Sequence, residues 1–125
     1  MIYAIVGSRS ITNYNEKIIN YIHSSYHNDI TEIVSGGAIG VDKIAEEYAA
    51  KYNIPIKIFK PDWNIHGKKA GFLRNVEIIK YSDVVLAFWK AKSNGTKHDI
   101  DLAIDNNKKL VVIDYDDKSI TKYNF

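Results

Sequence analysis

With 125 residues, 46% of them hydrophobic and 26% charged, the chain has the size and balance of one globular domain, which excludes a disordered or fibrous protein. Its 17 Lys and Arg are nearly matched by 15 Asp and Glu and are spread along the chain, for a formal net charge of +2, so the dense basic face of a polynucleotide binder is not expected. The absence of cysteine excludes a disulfide framework, thiolate chemistry and Cys-based zinc sites.

Met1-Ile2-Tyr3 opens without a basic stretch, and no apolar run approaches the roughly 18 residues of a membrane span. A cytoplasmic protein with no signal peptide and no membrane partner is therefore expected. Ile2 to Val6 is a continuous apolar run closed by Gly7, the pattern of a strand buried on both faces. Gly7-Ser8-Arg9-Ser10 makes a polar turn, and Tyr14, Ile18, Tyr21 and Ile22 recur at helical spacing up to about His27 and Asn28. Glu32-Ile33-Val34 is a short second strand that runs into Ser35-Gly36-Gly37-Ala38-Ile39-Gly40-Val41-Asp42.

That stretch reads as strand end, glycine turn and helix start. Gly36 and Gly37 permit positive φ and close approach of a ligand, Gly40 permits close helix packing, and a helix N-terminus offers unpaired N–H groups to a phosphate. A tight turn alone would equally account for the glycines. Val41, Ile44, Ala45, Tyr48, Ala49 and Tyr52 then give the clearest amphipathic helix. Pro55 to Phe59 is the third strand and Lys60 to Lys69 a longer loop. Phe72, Leu73, Val76 and Ile79 form the inner stripe of a third helix, and Asp83 leads into the strand Val84 to Phe88. The Ser93-Asn94-Gly95-Thr96 turn precedes a fourth helix carrying Ile100, Ala103 and Ile104, and Leu110 to Ile113 is the last strand. Residues 114–125 read as a loose polar tail.

Strands alternating with helices predict a single α/β domain: a Rossmann-like, three-layer, five-stranded parallel sheet in the order 3-2-1-4-5 with helices on both faces. Ligands of such sheets sit beyond the carboxyl ends of the strands, where the order reverses between strands one and four. The turns Gly7–Arg9, Gly36–Gly40 and Ser93–Thr96 are expected along that rim.

Taken together, Gly7-Ser8-Arg9, Ser35 to Asp42, Asp62-Trp63, Gly67, Ala70-Gly71, Arg74-Asn75, Ala87-Phe88-Trp89 and Ser93-Asn94-Gly95-Thr96 resemble one family, over Ile2 to about Ile113. It is the YspA-like branch of the SLOG superfamily, related to the YpsA, LOG and DprA proteins and often carried by bacteria and their phages. The resemblance implies a Rossmann-like fold that binds a nucleotide or nucleotide-derived ligand. Within the superfamily, LOG proteins cleave the N-glycosidic bond of a cytokinin nucleotide, DprA binds single-stranded DNA, and others sense signalling nucleotides.

Candidate ligand-binding residues are Gly7, Ser8, Arg9, Ser35, Gly36, Gly37, Ala38, Gly40, Asp42, Trp63, Arg74, Asn75, Trp89, Ser93, Gly95 and Thr96. Arg9 is suited to gripping phosphate oxygens through two parallel bonds, against a solvated loop arginine. Ser8 and Ser35 offer hydroxyls, or serve only their own turns. Asp42 falls in a helix's first turn, where the dipole stabilises a carboxylate with or without a ligand. Trp63 either stacks on a base or closes a pocket with apolar area. LOG enzymes carry an arginine implicated in catalysis near the start of the helix equivalent to that of Arg74. Where they read Pro-Gly-Gly-x-Gly-Thr-x-x-Glu, this chain reads Lys92-Ser93-Asn94-Gly95-Thr96-Lys97-His98-Asp99. Arg74 and Asp99 are thus the candidate catalytic pair, although Thr96 and Asp99 also fit a capping box, which asks less of the shorter acid.

His66 and His98 lack metal-ligand spacing, so no metal is expected, and no cofactor either. No nucleophile elbow and no P-loop occur. The preferred expectation is a sensor or sequestering protein for a phosphorylated nucleoside, ADP-ribose-like or cyclic, acting as a homo-oligomer. A phosphoribohydrolase-like N-glycosidase is the alternative. Single-stranded DNA binding comes third, with nucleic acid not expected as a partner because of the charge balance.

Overall fold

The computed structural model describes residues 1–13 and 15–125; the expected stripe position Tyr14 lies outside the described residues. Among the described residues six strands form one sheet: β1 (Ile2–Gly7), β2 (Glu32–Ser35), β3 (Ile56–Ile58), β4 (Val84–Trp89), β5 (Lys109–Asp114) and β6 (Ile120–Tyr123), in the order 3-2-1-4-5-6. Five are parallel, and β6 runs antiparallel to β5. The helices are α1 (Asn15–Tyr26), α2 (Val41–Tyr52), α3 (Trp63–His66), α4 (Ala70–Tyr81) and α5 (Asn94–Asp105), with single 3₁₀ turns at His27–Asp29 and Gly67–Lys69.

The apolar run of β1 is continuous because the strand feeds two cores. Tyr3 and Ile5 point to one face and pack with Ile18 and Ile22 of α1 and Ile44 and Tyr48 of α2. Ala4 and Val6 point to the other and pack with Ile78 and Ile79 of α4 and Ile100 and Ala103 of α5. Each such side chain contributes about 1.5–3 kcal/mol by leaving water, so both layers are held through this one strand. β1 bonds β2 on one side and β4 on the other, and the chain order reverses there.

The structure departs from the sequence expectation in three places. The tail from Asp114 on is not loose: Ile120 pairs with Ile113 and Tyr123 with Leu110. The reversal is built by carboxylates, since Asp114 Oδ1 accepts the Asp116 N–H at 2.8 Å and Asp117 Oδ1 the Ser119 N–H at 2.9 Å. The loop after β3 holds a helical turn, α3, whose start is capped by Asp62, with Oδ1 accepting the Ile65 N–H at 3.1 Å. Finally, Phe72, expected on the inner stripe of its helix, is 55% exposed, while Ile79 of that stripe packs on the sheet together with Ile78; in α5 Ile100 and Ala103 face the sheet and Ile104 is 40% exposed.

Candidate functional site

A cleft of about 680 Å³ opens above the carboxyl ends of β1 and β4. Val6 and Ile78 give it apolar surface, and Gly7 to Ser10, Ala38, Asp42, the first turns of α4 and the first turns of α5 line the rest. A smaller pocket of about 540 Å³ lies beside it, lined by Gly37, Ile39, Gly40, Lys43 and Lys60 among others.

The turn after β1 and the start of α5 are knitted together by hydroxyls. Ser8 is buried, its Oγ accepts the Lys90 N–H at 2.9 Å and lies 2.7 Å from Ser93 Oγ, and Ser93 Oγ donates to Thr96 Oγ1 at 3.0 Å. These side chains therefore hold the loops in place. Ser93 occupies the N-cap position of α5. Thr96 and Asp99 thus lie inside the helix, and the capping-box expectation for them is incorrect.

Of the helix starts that face the site, those of α2 and α5 differ. In α2 the first turn carries its own Asp42, whose Oδ2 accepts the Ala38 N–H at 3.1 Å, so the positive end of that helix is already answered from within the chain. The first turn of α5 carries no acidic residue, and its free N–H groups lie at the cleft.

Arg74 reaches from α4 to the glycine turn and donates from Nη1 to the Gly36 carbonyl at 2.6 Å. A Cβ on Gly36 would run into the Arg74 guanidinium, so the missing side chain leaves room for the arginine to reach this carbonyl. Gly40, at φ +78°, similarly lets the start of α2 close on the backbone of Ser8 and Arg9, which a Cβ would meet at 2.6–2.7 Å. Arg74 also donates from Nε to Asn75 Oδ1 at 2.9 Å, and Asn75 Nδ2 lies 3.3 Å from His98 Nδ1. Because guanidinium only donates, the Asn75 oxygen must face it, and the Asn75 amide N–H then donates to His98. His98 is left as the tautomer with its proton on Nε2.

The His98 ring is stacked on Phe72, with centroids 4.2 Å apart and planes at 21°. Trp63, 56% exposed, stands over Gly71, where an added Cβ would be 3.7 Å from its ring. Neither Phe72 nor His98 stands among the binding residues expected from sequence. Phe72 was assigned to a core stripe, and only its place one residue after the Ala70-Gly71 pair that opens α4 could have signalled otherwise.

Of the expected residues, Gly7, Ser8, Arg9, Ala38, Asp42, Arg74, Asn75, Ser93, Gly95, Thr96 and Asp99 line the cleft. Gly37 and Gly40 line the neighbouring pocket. Ser35 is buried at the end of β2, and Trp89 spends its indole N–H on the Ser93 carbonyl at 3.0 Å. Arg9 is exposed at the cleft mouth.

Two acids shape the field inside. Burial raises the Asp42 carboxyl above its usual value, opposed by the Ala38 N–H and by the Arg74 charge. Asp99 is pushed up to about 8, chiefly by burial and further by the neighbouring Asp42, with Arg74 pulling the other way. Burial lowers His98 below the ordinary histidine value. Asp99 Oδ1 and His98 Nε2 are both buried without a hydrogen-bond partner.

Residues 1–58 match the family model described as DNA recombination-mediator protein A. The Gene 61 protein of Mycobacterium phage D29 is 43% identical over 72 residues, 53% of this chain and 58% of that protein. Among solved structures, DNA processing protein A of Helicobacter pylori, described for its single-stranded DNA binding mode, is 29% identical, with a TM-score of 0.70 over 90% of this chain and 64% of that one. DNA processing protein A (DprA) of Streptococcus pneumoniae shares the fold at 17% identity, with a TM-score of 0.72 over 90% of this chain and 49% of that one. The chain thus spans about half to two thirds of the proteins it resembles.

These likenesses overturn two sequence expectations, a small nucleotide-derived ligand held by a sensor or sequestering protein and the absence of a nucleic-acid partner. The second rested on a net charge of +2, which averages over the whole chain and is blind to where cations stand. Arg9 is at the cleft mouth, and Lys68 and Lys69 lie on the turn that leads into the cleft-lining part of α4. No helix of the described residues is long and apolar enough to cross a membrane.

Proposed function

We propose, for a chain that is DprA-like over residues 1–58 and Rossmann-like in fold, that the cleft binds single-stranded DNA. The observation that carries this reading is the Phe72–His98 stack at the cleft wall, in which Phe72 is 55% exposed. Bases have π faces whatever their sequence, so an exposed ring at a cleft with Arg9 at its mouth suits a single strand better than a duplex, whose bases are already stacked. In this reading Phe72 and Trp63 take bases, while Arg9, Lys68, Lys69 and the first-turn N–H groups of α5 take phosphates. Arg74 holds the Gly36 turn against α4 and keeps Asn75 and His98 oriented. The likeness to the YspA-like branch is kept as part of this proposal, since Ser93 to Asp99 departs from the LOG pattern.

The test is fluorescence anisotropy with a labelled oligothymidine and with a duplex of the same length. Binding of the single strand that weakens as salt rises, with the duplex weaker, is the expected result. No binding of the single strand at low salt, about 50 mM, overturns the proposal.

A further inference from the structure

The inner end of the cleft holds polar groups that packing does not explain. Asp99 is 7% exposed, its Oδ1 has no partner, and the next residue along the chain, His98, leaves Nε2 equally unpartnered. Both residues line the same cleft. A buried donor or acceptor left unpaired is costly, and an apolar side chain at Asp99 would pack without that cost. The two groups also differ in kind. The chain of bonds from Arg74 through Asn75 fixes His98 Nε2–H as a donor, whereas a carboxylate offers acceptors only. Val6 and Ile78 add apolar lining to the same cleft.

We propose that this inner end reads one unpaired guanine of a bound strand, with the base's N1–H and N2 amino group donating to the Asp99 carboxylate and His98 Nε2–H donating to its O6. The inference rests on the single-strand reading above. Guanine alone among the four bases presents a carbonyl followed by two adjacent donors on one edge. Thymine has one donor between two carbonyls, one of which would face the carboxylate, and adenine and cytosine bring a single amino group. Burial pushes the Asp99 carboxyl up to about 8, so around pH 8 it meets the base as a carboxylate at small cost. Arg74 is committed to Gly36 and Asn75 and stays beside the carboxylate as its counter-charge. Asp42, the like charge nearby, disfavours an ionised Asp99 until the base's donors arrive.

The experiment compares, near pH 8 and at fixed salt, labelled oligothymidines carrying one central guanine, adenine, cytosine or hypoxanthine. The full chain should bind the guanine strand more tightly than the adenine and cytosine strands by on the order of tenfold, as one bidentate base contact gives. Hypoxanthine keeps N1–H and O6 but lacks the N2 amino group, and its strand should fall between. In Asp99→Asn, checked by its thermal melt to be folded, the ratio of guanine to adenine affinity should drop toward one. Equal binding of all four strands by the parent overturns this inference and leaves single-strand binding standing. No binding of any strand overturns both. Equal binding of guanine and hypoxanthine strands, or an unchanged ratio in folded Asp99→Asn, overturns the carboxylate contact.

Discussion

His23 lies on Tyr52 at a centroid distance of 4.0 Å and 12°, and His98 lies on Phe72 at 4.2 Å and 21°, so the described residues contain two nearly identical stacks. Their surroundings separate them. The first stack is part of a closed aromatic layer between α1 and α2: His23 also meets His27 at 4.3 Å, Tyr52 meets Tyr48 at 4.9 Å, and His27 Nδ1 reaches the Tyr48 hydroxyl at 3.2 Å. Phe72 is 55% exposed beside a cleft, whereas both histidines keep a buried nitrogen without a partner, His23 at Nδ1 and His98 at Nε2. Ring geometry therefore says little about binding, and an unpartnered nitrogen says no more; what distinguishes the two pairs is the free face of Phe72 at the cleft.

The strongest way to break this comparison is to remove the closed layer. Tyr48 is fully buried, and Tyr48→Ala should cost about 3–5 kcal/mol of stability, read by denaturant unfolding, with single-strand affinity of the folded fraction unchanged. Phe72→Ala should show the opposite division. Little is buried there, so stability should change by no more than about 0.5 kcal/mol, while loss of one stacking contact should weaken oligothymidine binding by about 1–3 kcal/mol. If Phe72→Ala destabilised the protein as Tyr48→Ala does and left binding intact, the open stack would be only another piece of core.

Much of this architecture was legible in sequence. The unbroken apolar run Ile2 to Val6 announces a strand buried on both faces, and the glycine turns mark the edge where that strand's neighbours reverse. Periodicity found each helix but not always its inner face. Phe72 is apolar and falls at core spacing, yet α4 begins at Ala70, so its first turn projects past the sheet end and over the cleft. The sixth strand was missed because Asp114 to Ser119 looks like the start of a polar tail, although its carboxylates fold the chain back so that Ile120 and Tyr123 pair with β5. Asp99 was visible as a candidate, but its isolation was not, since a one-dimensional pattern cannot report that a carboxylate is buried beside another.

That isolation sharpens the comparison through pH. Asp99 in the folded protein titrates at about 8, and in an unfolded chain near 4, so the folded state holds its proton more firmly. A carboxyl raised in this way contributes stability that is complete below about pH 4 and is lost as pH rises through 8. The Tm of the parent should therefore decline across that range more steeply than the Tm of Asp99→Asn, which has no proton to lose there. Parallel Tm profiles for the two proteins would show that Asp99 is solvated or paired after all.

The smallest effect concerns single cations beside the two stacks. Lys51 places its ammonium 5.4 Å from the Tyr52 ring in the closed layer, while Arg9 stands exposed at the cleft mouth. Each carries one positive charge, and the net charge of the protein is the same whichever is removed. Displacement of ions from a single strand depends instead on which cation touches a phosphate, and each such contact contributes about 0.7 to the slope of log affinity against log salt. Arg9→Ala should lower that slope by about 0.7 for oligothymidine and for guanine-containing strands alike, since a phosphate contact carries no base information. Lys51→Ala should leave the slope where it is. Equal slopes for the two variants would mean that the strand feels only the protein's overall charge, and the distinction between a cleft mouth and an ordinary surface would be lost.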